Sequence, residues 1–370
     1  IGGYYNGKID NPCLFNRVLS EDEVGLLRNG TSPNELNGTV VGAWNFARDF
    51  SSAVVTDESG NGHNGIAVNM PVRAMTGHNW TGNETNFNNA PNEYGAIHFH
   101  DDDLENARWD VDFELTIPDN MKSGVYAARL ISEDGEDHIP FWVRPKKGAP
   151  TAPILLIMSS ATYIAYANAH KNIKDNQKQS DGWKKRYGYS LPDYPVNPED
   201  KYMVANNLMS LYSHHSDGSG VCYSSRLRPI VNMRPKYNRM AHGMYKDNGA
   251  PYEFGCDLYL VDWLDEKGYE YDVVDDEDIH REGLDLLSHY RVIITGAHPE
   301  YWSEPGLNAL ESYMYEGGRV MYMGGNGFYW VTSYDPERPH VIEVRRRRGS
   351  QVWEAKPGEY YHSTTGERGS

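Results

Sequence analysis

The sequence predicts a multidomain chain, β-rich from Ile1 to Lys146 and α/β from Thr151 to Ser370, and three observations carry this reading. In the first part, short apolar–polar alternations recur between turn signals such as Pro118-Asp119-Asn120 and Glu133-Asp134-Gly135. In the second, four buried-type runs (Ile154 to Met158, Tyr269 to Val274, Arg291 to Thr295, Arg319 to Met323) alternate with helical segments, which predicts a doubly wound parallel sheet with right-handed crossovers. Between the parts lies RPKKGAPTAP, a Pro- and Lys-containing connector from Arg144 to Pro153. The predicted domains are 1–36, 37–146 and 151–370.

Composition narrows the function classes. A length of 370 residues is too long for one ordinary domain. The mean hydropathy is -0.69, and no apolar run approaches the ~20 residues that span a bilayer, so a soluble protein without a membrane partner is expected. A formal charge of -17 disfavours nucleic acid and anionic membranes as partners. Cys13, Cys222 and Cys256 are odd in number and widely spaced, as reduced cytoplasmic thiols are, so a cytoplasmic location is expected. The chain starts at Ile1 and stops at Gly369-Ser370 without a closing element, and it is read as a fragment.

In chain order, GKIDNPCLFNRVLSEDEVGLL is an alternating segment followed by a short helix with Ser20 as N-cap and Glu23 at the capping-box position. It resembles the last strand and closing turn of lectin-like jelly rolls, whereas VVGAWNFARDFSSAVVTDESGNGHNGIAVN resembles the opening strands of the same fold. Opening strands after a closing strand imply a partial, circularly permuted lectin-like β-sandwich, in which Gly7 to Phe15 neighbours Val40 to Phe46. His98 and His100 share one face of a later strand and precede Asp101 to Asp103, which invites a metal reading. No third ligand at a diagnostic spacing follows, so this stretch is read as a strand end with a solvated acidic turn.

In the α/β part, SSATYIAYAN follows the first strand, and Ala169 to Ala250 is a long polar stretch of the kind that is usually a functional insertion. Phe254, Leu258, Val261 and Leu264 or Asp265 mark the core face of the next helix. Asp275 to Asp278 cap another helix. Pro305 opens a third, and Gly317-Gly318 closes it. Ligands in such sheets bind outside the carboxyl ends of the strands. That edge receives Ser159, Thr162, Tyr163 and Asn168; Asp275 and Asp276; His298, Glu300 and Tyr301; Asn326 of GGNG; and Tyr259 in the first turns of its helix. No dinucleotide fingerprint, P-loop or G-x-S-x-G elbow is present, and no cysteine sits at a strand end with a nearby histidine.

The pieces GAIHFHDDDLENARW, SGVYAARL, IPFWVRP, SATYIAYAN, EFGCDLYLVDWLDEKGYEYDVVDDEDIH, TGAHPEYWS, GGRVMYMGGNGFYWVTSYDPERPHVIEVRR and PGEYYHSTTGE together resemble the large subunit of N,N-dimethylformamidase and its homologues, over nearly the whole chain. The doubly wound domain is expected to be flavodoxin- or glutamine-amidotransferase-like, and the resemblance implies an amidohydrolase that cleaves dimethylformamide to dimethylamine and formate. It further implies a mononuclear iron, ferric in character, held by two tyrosines and one glutamate, and a separate small subunit, hence a hetero-oligomer. Carried over by position, Tyr301 and Tyr259 are the tyrosine ligands and Glu367 the glutamate, with Glu359, Glu343 or a residue beyond Ser370 as alternatives. Phenolate and carboxylate are hard oxygen donors suited to such an ion. His298 or His362 would then handle protons, with Glu300 and Asn326 beside them. Two other classes stay open: a carbohydrate-binding or carbohydrate-cleaving protein, suggested by the lectin-like segments and the aromatic surplus, and a non-catalytic homologue.

Overall fold

The computed structural model describes residues 4–36, 40–133, 135–170, 185, 188, 198–235, 237, 253–328, 330–347 and 352–369. Of the long stretch between Ala169 and Ala250, residues 171–184, 186–187, 189–197, 236 and 238–250 lie outside the described residues. The chain is a mixture of strands and helices in several sheets. It divides into two compact units that interleave in sequence. Unit 1 comprises Ile1–Asn106, His214–Tyr223 and Ser333–Ser370, and unit 2 comprises Ala107–Ser213 and Ser224–Thr332. The Arg144–Pro153 connector lies inside unit 2. None of the described helices is long and apolar enough to cross a membrane.

Unit 1 is built from small sheets. Cys13–Phe15 pairs antiparallel with Val40–Ala43, whereas Gly7–Asp10 pairs instead with Ala96–Phe99, which also borders Val72–Met75. The Glu21–Arg28 helix starts as its residues dictate: Ser20 Oγ accepts from Glu23 N at 3.2 Å, and Glu23 Oε2 accepts from Ser20 N at 2.8 Å. Late in the chain, Ser333–Tyr334 pairs antiparallel with Val341–Glu343.

Unit 2 contains the four runs read from the sequence, joined in one parallel sheet in the order Tyr271–Asp275, Ile154–Met158, Val292–Ile294, Arg319–Met321. Strand periodicity of two sends Leu155 and Ile157 to one face and Leu156 and Met158 to the other. The first pair packs with Ile279, Leu286 and Leu287 of the Asp276–Leu287 helix and with Ala309, Leu310 and Tyr313 of the Glu304–Tyr315 helix. The second pair packs with Phe254 and Leu264 of the Phe254–Glu266 helix and with Tyr163 of the Ser160–Ala165 helix. Both faces are therefore covered, which is why these strands read as continuous apolar runs.

One helix is rotated relative to its sequence reading. Asp257 is buried, whereas Leu258 is 39% exposed, so the core face of Phe254–Glu266 runs through Phe254, Asp257, Val261 and Leu264. The cause is polar: the Asp257 carboxylate accepts from Ala297 N and from the Tyr163 hydroxyl and so displaces Leu258 from the core side.

Candidate metal centre at the end of the third strand

Beyond Ile294 the chain turns through Thr295-Gly296-Ala297-His298-Pro299-Glu300 before the short Tyr301–Trp302 strand. Gly296 is required at this turn: a Cβ there would lie 2.7 Å from Asp257 Oδ1 and 2.8 Å from Ser159 Oγ. Gly324 is required from the facing side, since its Cβ would lie 2.7 Å from Ala297 O. The backbones then lace together. Gly325 N donates to Ala297 O (3.0 Å), Phe328 N to Pro299 O (2.8 Å) and Trp330 N to Glu300 O (3.1 Å), and Tyr301–Trp302 runs parallel to Trp330–Val331. Thr162, wholly buried in the Ser160–Ala165 helix, donates to His298 O at 2.9 Å and accepts from Glu300 N at 3.3 Å.

This bracing fixes the Glu300 carboxylate, which is buried. Its Oε1 accepts from Trp330 Nε1 at 2.9 Å. Its Oε2 faces three groups: Tyr166 Oη at 2.8 Å, Tyr212 Oη at 3.2 Å and His298 Nε2 at 3.2 Å. The two phenol oxygens are themselves 2.5 Å apart and their rings stack at 4.2 Å, while Tyr301 Oη donates to Tyr212 Oη at 2.5 Å. Tyr166 caps the Ser160–Ala165 helix, and Leu211 N donates to Ala165 O, which draws the Tyr212 segment onto that helix end. Burial works to raise the Glu300 pKa, but hydrogen bonds from His298 and Tyr166 and the nearby His298 charge outweigh it and hold the carboxyl below its usual range.

The donor set fits a hard, highly charged metal ion. Tyr166 Oη, Tyr212 Oη and Glu300 Oε2 form a triangle with edges of 2.5, 2.8 and 3.2 Å, close to the spacing of about 2.8 Å between neighbouring vertices of an octahedron with metal–oxygen bonds of about 2 Å. Once the two phenols lose their protons, three anionic oxygens in a buried site would repel one another, and a cation would remove that cost.

Residues 72–370 match the family described as N,N-dimethylformamidase beta subunit-like, C-terminal. The chain belongs to this family. It is 42% identical over 380 residues to the N,N-dimethylformamidase beta subunit of Paracoccus aminophilus and 41% identical over 375 residues to that of Alcaligenes sp, each alignment covering 99% of this chain and 47% of the relative. The chain thus spans about half the length of the dimethylformamidase beta subunits it matches.

The residues named from sequence fall in different surroundings. His298, Glu300 and Tyr301 lie in the cluster. Asn326 is exposed in the turn that braces the loop. Tyr259 is 76% exposed, on the solvent side of its helix beside Leu258, and none of the cluster's hydrogen bonds given above reaches it. His362, Glu367, Glu359 and Glu343 belong to unit 1. There His362 is fully buried; its Nε2 accepts from Arg345 N at 3.3 Å, which leaves Nδ1 to meet Ser333 Oγ, and Ser333 Oγ donates to Glu367 Oε2 at 2.8 Å. Glu359 accepts from Thr76 Oγ1 at 2.7 Å and pairs with Lys8, and Glu343 pairs with Arg345 at 2.7 Å. Sequence reasoning passed over Tyr166, Tyr212 and Trp330. The available signals were weak: Tyr166 lies one helical turn after Tyr163 in SSATYIAYAN, and Tyr212 lies in the long stretch read as a functional insertion.

Unit 2 also holds a cleft of about 850 Å³, lined by Trp142, Ser160, Tyr163, Ile164, Met233 and Asp275 among others. Burial and the neighbouring Asp278 charge push the Asp275 carboxyl well above the usual carboxylate range. Glu300, Tyr166 and Tyr212 are not among the residues that line it.

Proposed function

We propose that the chain carries the metal centre of an iron-dependent amidohydrolase that cleaves small N-substituted formamides to amine and formate, acting with a second, small subunit. The observation that carries this reading is the convergence of two phenol oxygens and one carboxylate oxygen, from Tyr166, Tyr212 and Glu300, in a member of the dimethylformamidase family. We assign the iron to these three, with Tyr301 behind Tyr212 as the residue that orients it; the exposed Tyr259 has no part in the assignment.

When bound, ferric iron supplies Lewis acidity for an amide carbonyl and acidifies water. The protein's own residues do the rest. Trp330 and Thr162 hold the Glu300 carboxylate and its backbone in one orientation, so that little reorganisation accompanies the reaction. A tertiary amide is a poor substrate because the departing nitrogen must be protonated. His298, with Nε2 3.2 Å from Glu300 Oε2 and Nδ1 3.6 Å from Glu253 Oε2, sits between two carboxylates and is assigned to carry that proton.

The test is iron analysis and visible spectroscopy on the purified protein together with any subunit that copurifies, alongside amine release from dimethylformamide. Tyr166→Phe, Tyr212→Phe and Glu300→Gln should each lose iron and the phenolate-to-iron absorption, whereas Tyr259→Phe should keep both. Stoichiometric iron with an unchanged spectrum in both Tyr166→Phe and Tyr212→Phe would overturn the ligand assignment. Failure of the iron-loaded, correctly assembled protein to release amine from formamides would overturn the activity.

A further inference from the structure

Unit 1 contains a second group of metal-ligating side chains that this reaction does not use. His98 lies in the Ala96–Phe99 strand and His100 just after it, two residues on and so on the same face. The acidic turn that follows folds back, with Asp103 accepting from His100 N at 3.0 Å and lying 3.1 Å from His100 Nδ1. More than a hundred residues later, a turn closed by the His214–Gly220 bridge brings three further side chains to the same place. His215 stacks on His100 with ring centroids 3.6 Å apart and places Nδ1 2.6 Å from Asp102 Oδ1. Asp217 Oδ2 lies 2.7 Å from His98 Nε2 and 4.0 Å from His100 Nε2, and Ser219 Oγ lies 2.9 Å from His100 Nε2. The third ligand missing from the local sequence is therefore supplied from a distant segment.

Two features distinguish this group from ordinary ion pairs. First, the donor atoms of His98, His100 and Asp217 all lie within 4.8 Å of one another. Zinc bonds of about 2.0–2.1 Å place neighbouring donors about 3.3 Å apart, between the 2.7 Å and 4.0 Å that separate Asp217 Oδ2 from the two imidazole nitrogens, so shifts of roughly 0.6–0.7 Å at these contacts bring them to that spacing. Second, Asp103 holds His100 at Nδ1 and thereby presents Nε2, the carboxylate–imidazole arrangement that orients metal-bound histidines. The Asp217 side chain keeps 21% of its surface exposed, which leaves an entry path.

We propose that His98 Nε2, His100 Nε2 and Asp217 Oδ2 bind a divalent transition-metal ion of the zinc class, with solvent completing the coordination, and that the ion clamps the 214–220 turn to the Ala96–Phe99 strand. Imidazole with carboxylate suits zinc and its neighbours, in contrast to the all-oxygen set built on Glu300.

The experiment uses the purified full-length protein with its iron quantified separately, dialysed against zinc and then analysed for both metals. One zinc per chain beyond the iron is expected. Asp217→Asn, which keeps the side-chain shape, and His98→Gln should each raise the zinc dissociation constant at least tenfold with iron content unchanged. Cobalt(II) should give visible ligand-field bands in the parent protein and not in the variants. X-ray absorption at the zinc edge needs no variant and should count two imidazole nitrogens. Absence of any tightly held zinc or cobalt, unchanged zinc affinity in both variants, or a zinc shell without imidazole would each overturn the proposal and leave the group as a set of hydrogen-bonded histidines.

Discussion

Replacing Trp330 with phenylalanine removes the indole N–H that donates to the Glu300 carboxylate. The Trp330 backbone stays paired with Glu300, because Trp330 N donates to Glu300 O and the two short strands remain in register, and a phenyl ring keeps much of the packing. The loss falls on Glu300 Oε1, which accepts from the indole at 2.9 Å while Oε2 faces the two phenols. A hydrogen bond to a carboxylate contributes roughly 1.5–3 kcal/mol. Removing an outer partner of a metal ligand weakens metal binding by roughly 10–100-fold, or about 1.4–2.7 kcal/mol, and the two ranges overlap. The expected result is an iron dissociation constant raised by roughly 10–100-fold in Trp330→Phe, at an unchanged denaturation midpoint of the metal-free protein. Competition with a chelator, followed at the visible band, measures it. An iron affinity within about threefold of the parent, well below what a lost outer partner causes, would mean that Glu300 does not hold the ion or that its orientation is set elsewhere.

Two further predictions concern the frame around the site and a buried histidine of unit 1. Gly296→Ala places a methyl group 2.7 Å from Asp257 Oδ1 and 2.8 Å from Ser159 Oγ in a closed interior, and overpacking of this kind costs roughly 1–3 kcal/mol, to be read from urea denaturation; a change below about 0.5 kcal/mol would show that the turn yields freely. His362 is buried and its pKa is pushed down to about 4 from an ordinary 6.5, chiefly by desolvation. Below pH 6.5 the unfolded chain therefore binds a proton that the folded chain refuses, so stability falls as pH drops from 6.5 towards 4, by up to about 3 kcal/mol, and levels off below. Denaturation midpoints across that window should show this slope in the parent and a flatter one in His362→Gln, and parallel slopes would refute the assignment.

The α/β core was legible because its signals are local. ILLIM is apolar throughout since both faces of the Ile154–Met158 strand are covered, and Asp275 and Ser303 cap helices with side chains that reach backbone amides a turn away. The burial of Asp257 in the Phe254–Glu266 helix was not legible, because a carboxylate at a core-facing position is unfavourable by itself and only the Ala297 amide and the Tyr163 hydroxyl, delivered by other elements, make its burial favourable. The same asymmetry governs both metal readings. Glu300 and His298 were found because TGAHPEYW ends a strand. Tyr166 and Tyr212 are two among 27 tyrosines and acquire meaning only through Glu300 Oε2.

Spacing rules for metal ligands work when one loop or helix carries most of the donors, as in zinc fingers, and they lose force when each donor comes from a different element. The Glu300 cluster draws on a helix end, a distant loop segment and a strand-end turn, and the His100 group on a strand and a turn far along the chain. In both, the first contact is a hydrogen bond that assembles the donors before any ion arrives: phenol to carboxylate in one, imidazole to carboxylate in the other. Such a bond has a physical consequence. The proton that joins the donors must leave when the ion enters, so binding at either centre releases protons and weakens as the pH falls. An ordinary phenol holds its proton several pKa units more tightly than an ordinary imidazole, so on the assignments proposed above the Glu300 cluster would call for an ion acidic enough to displace it, such as ferric iron, and the His100 group for softer divalent ions.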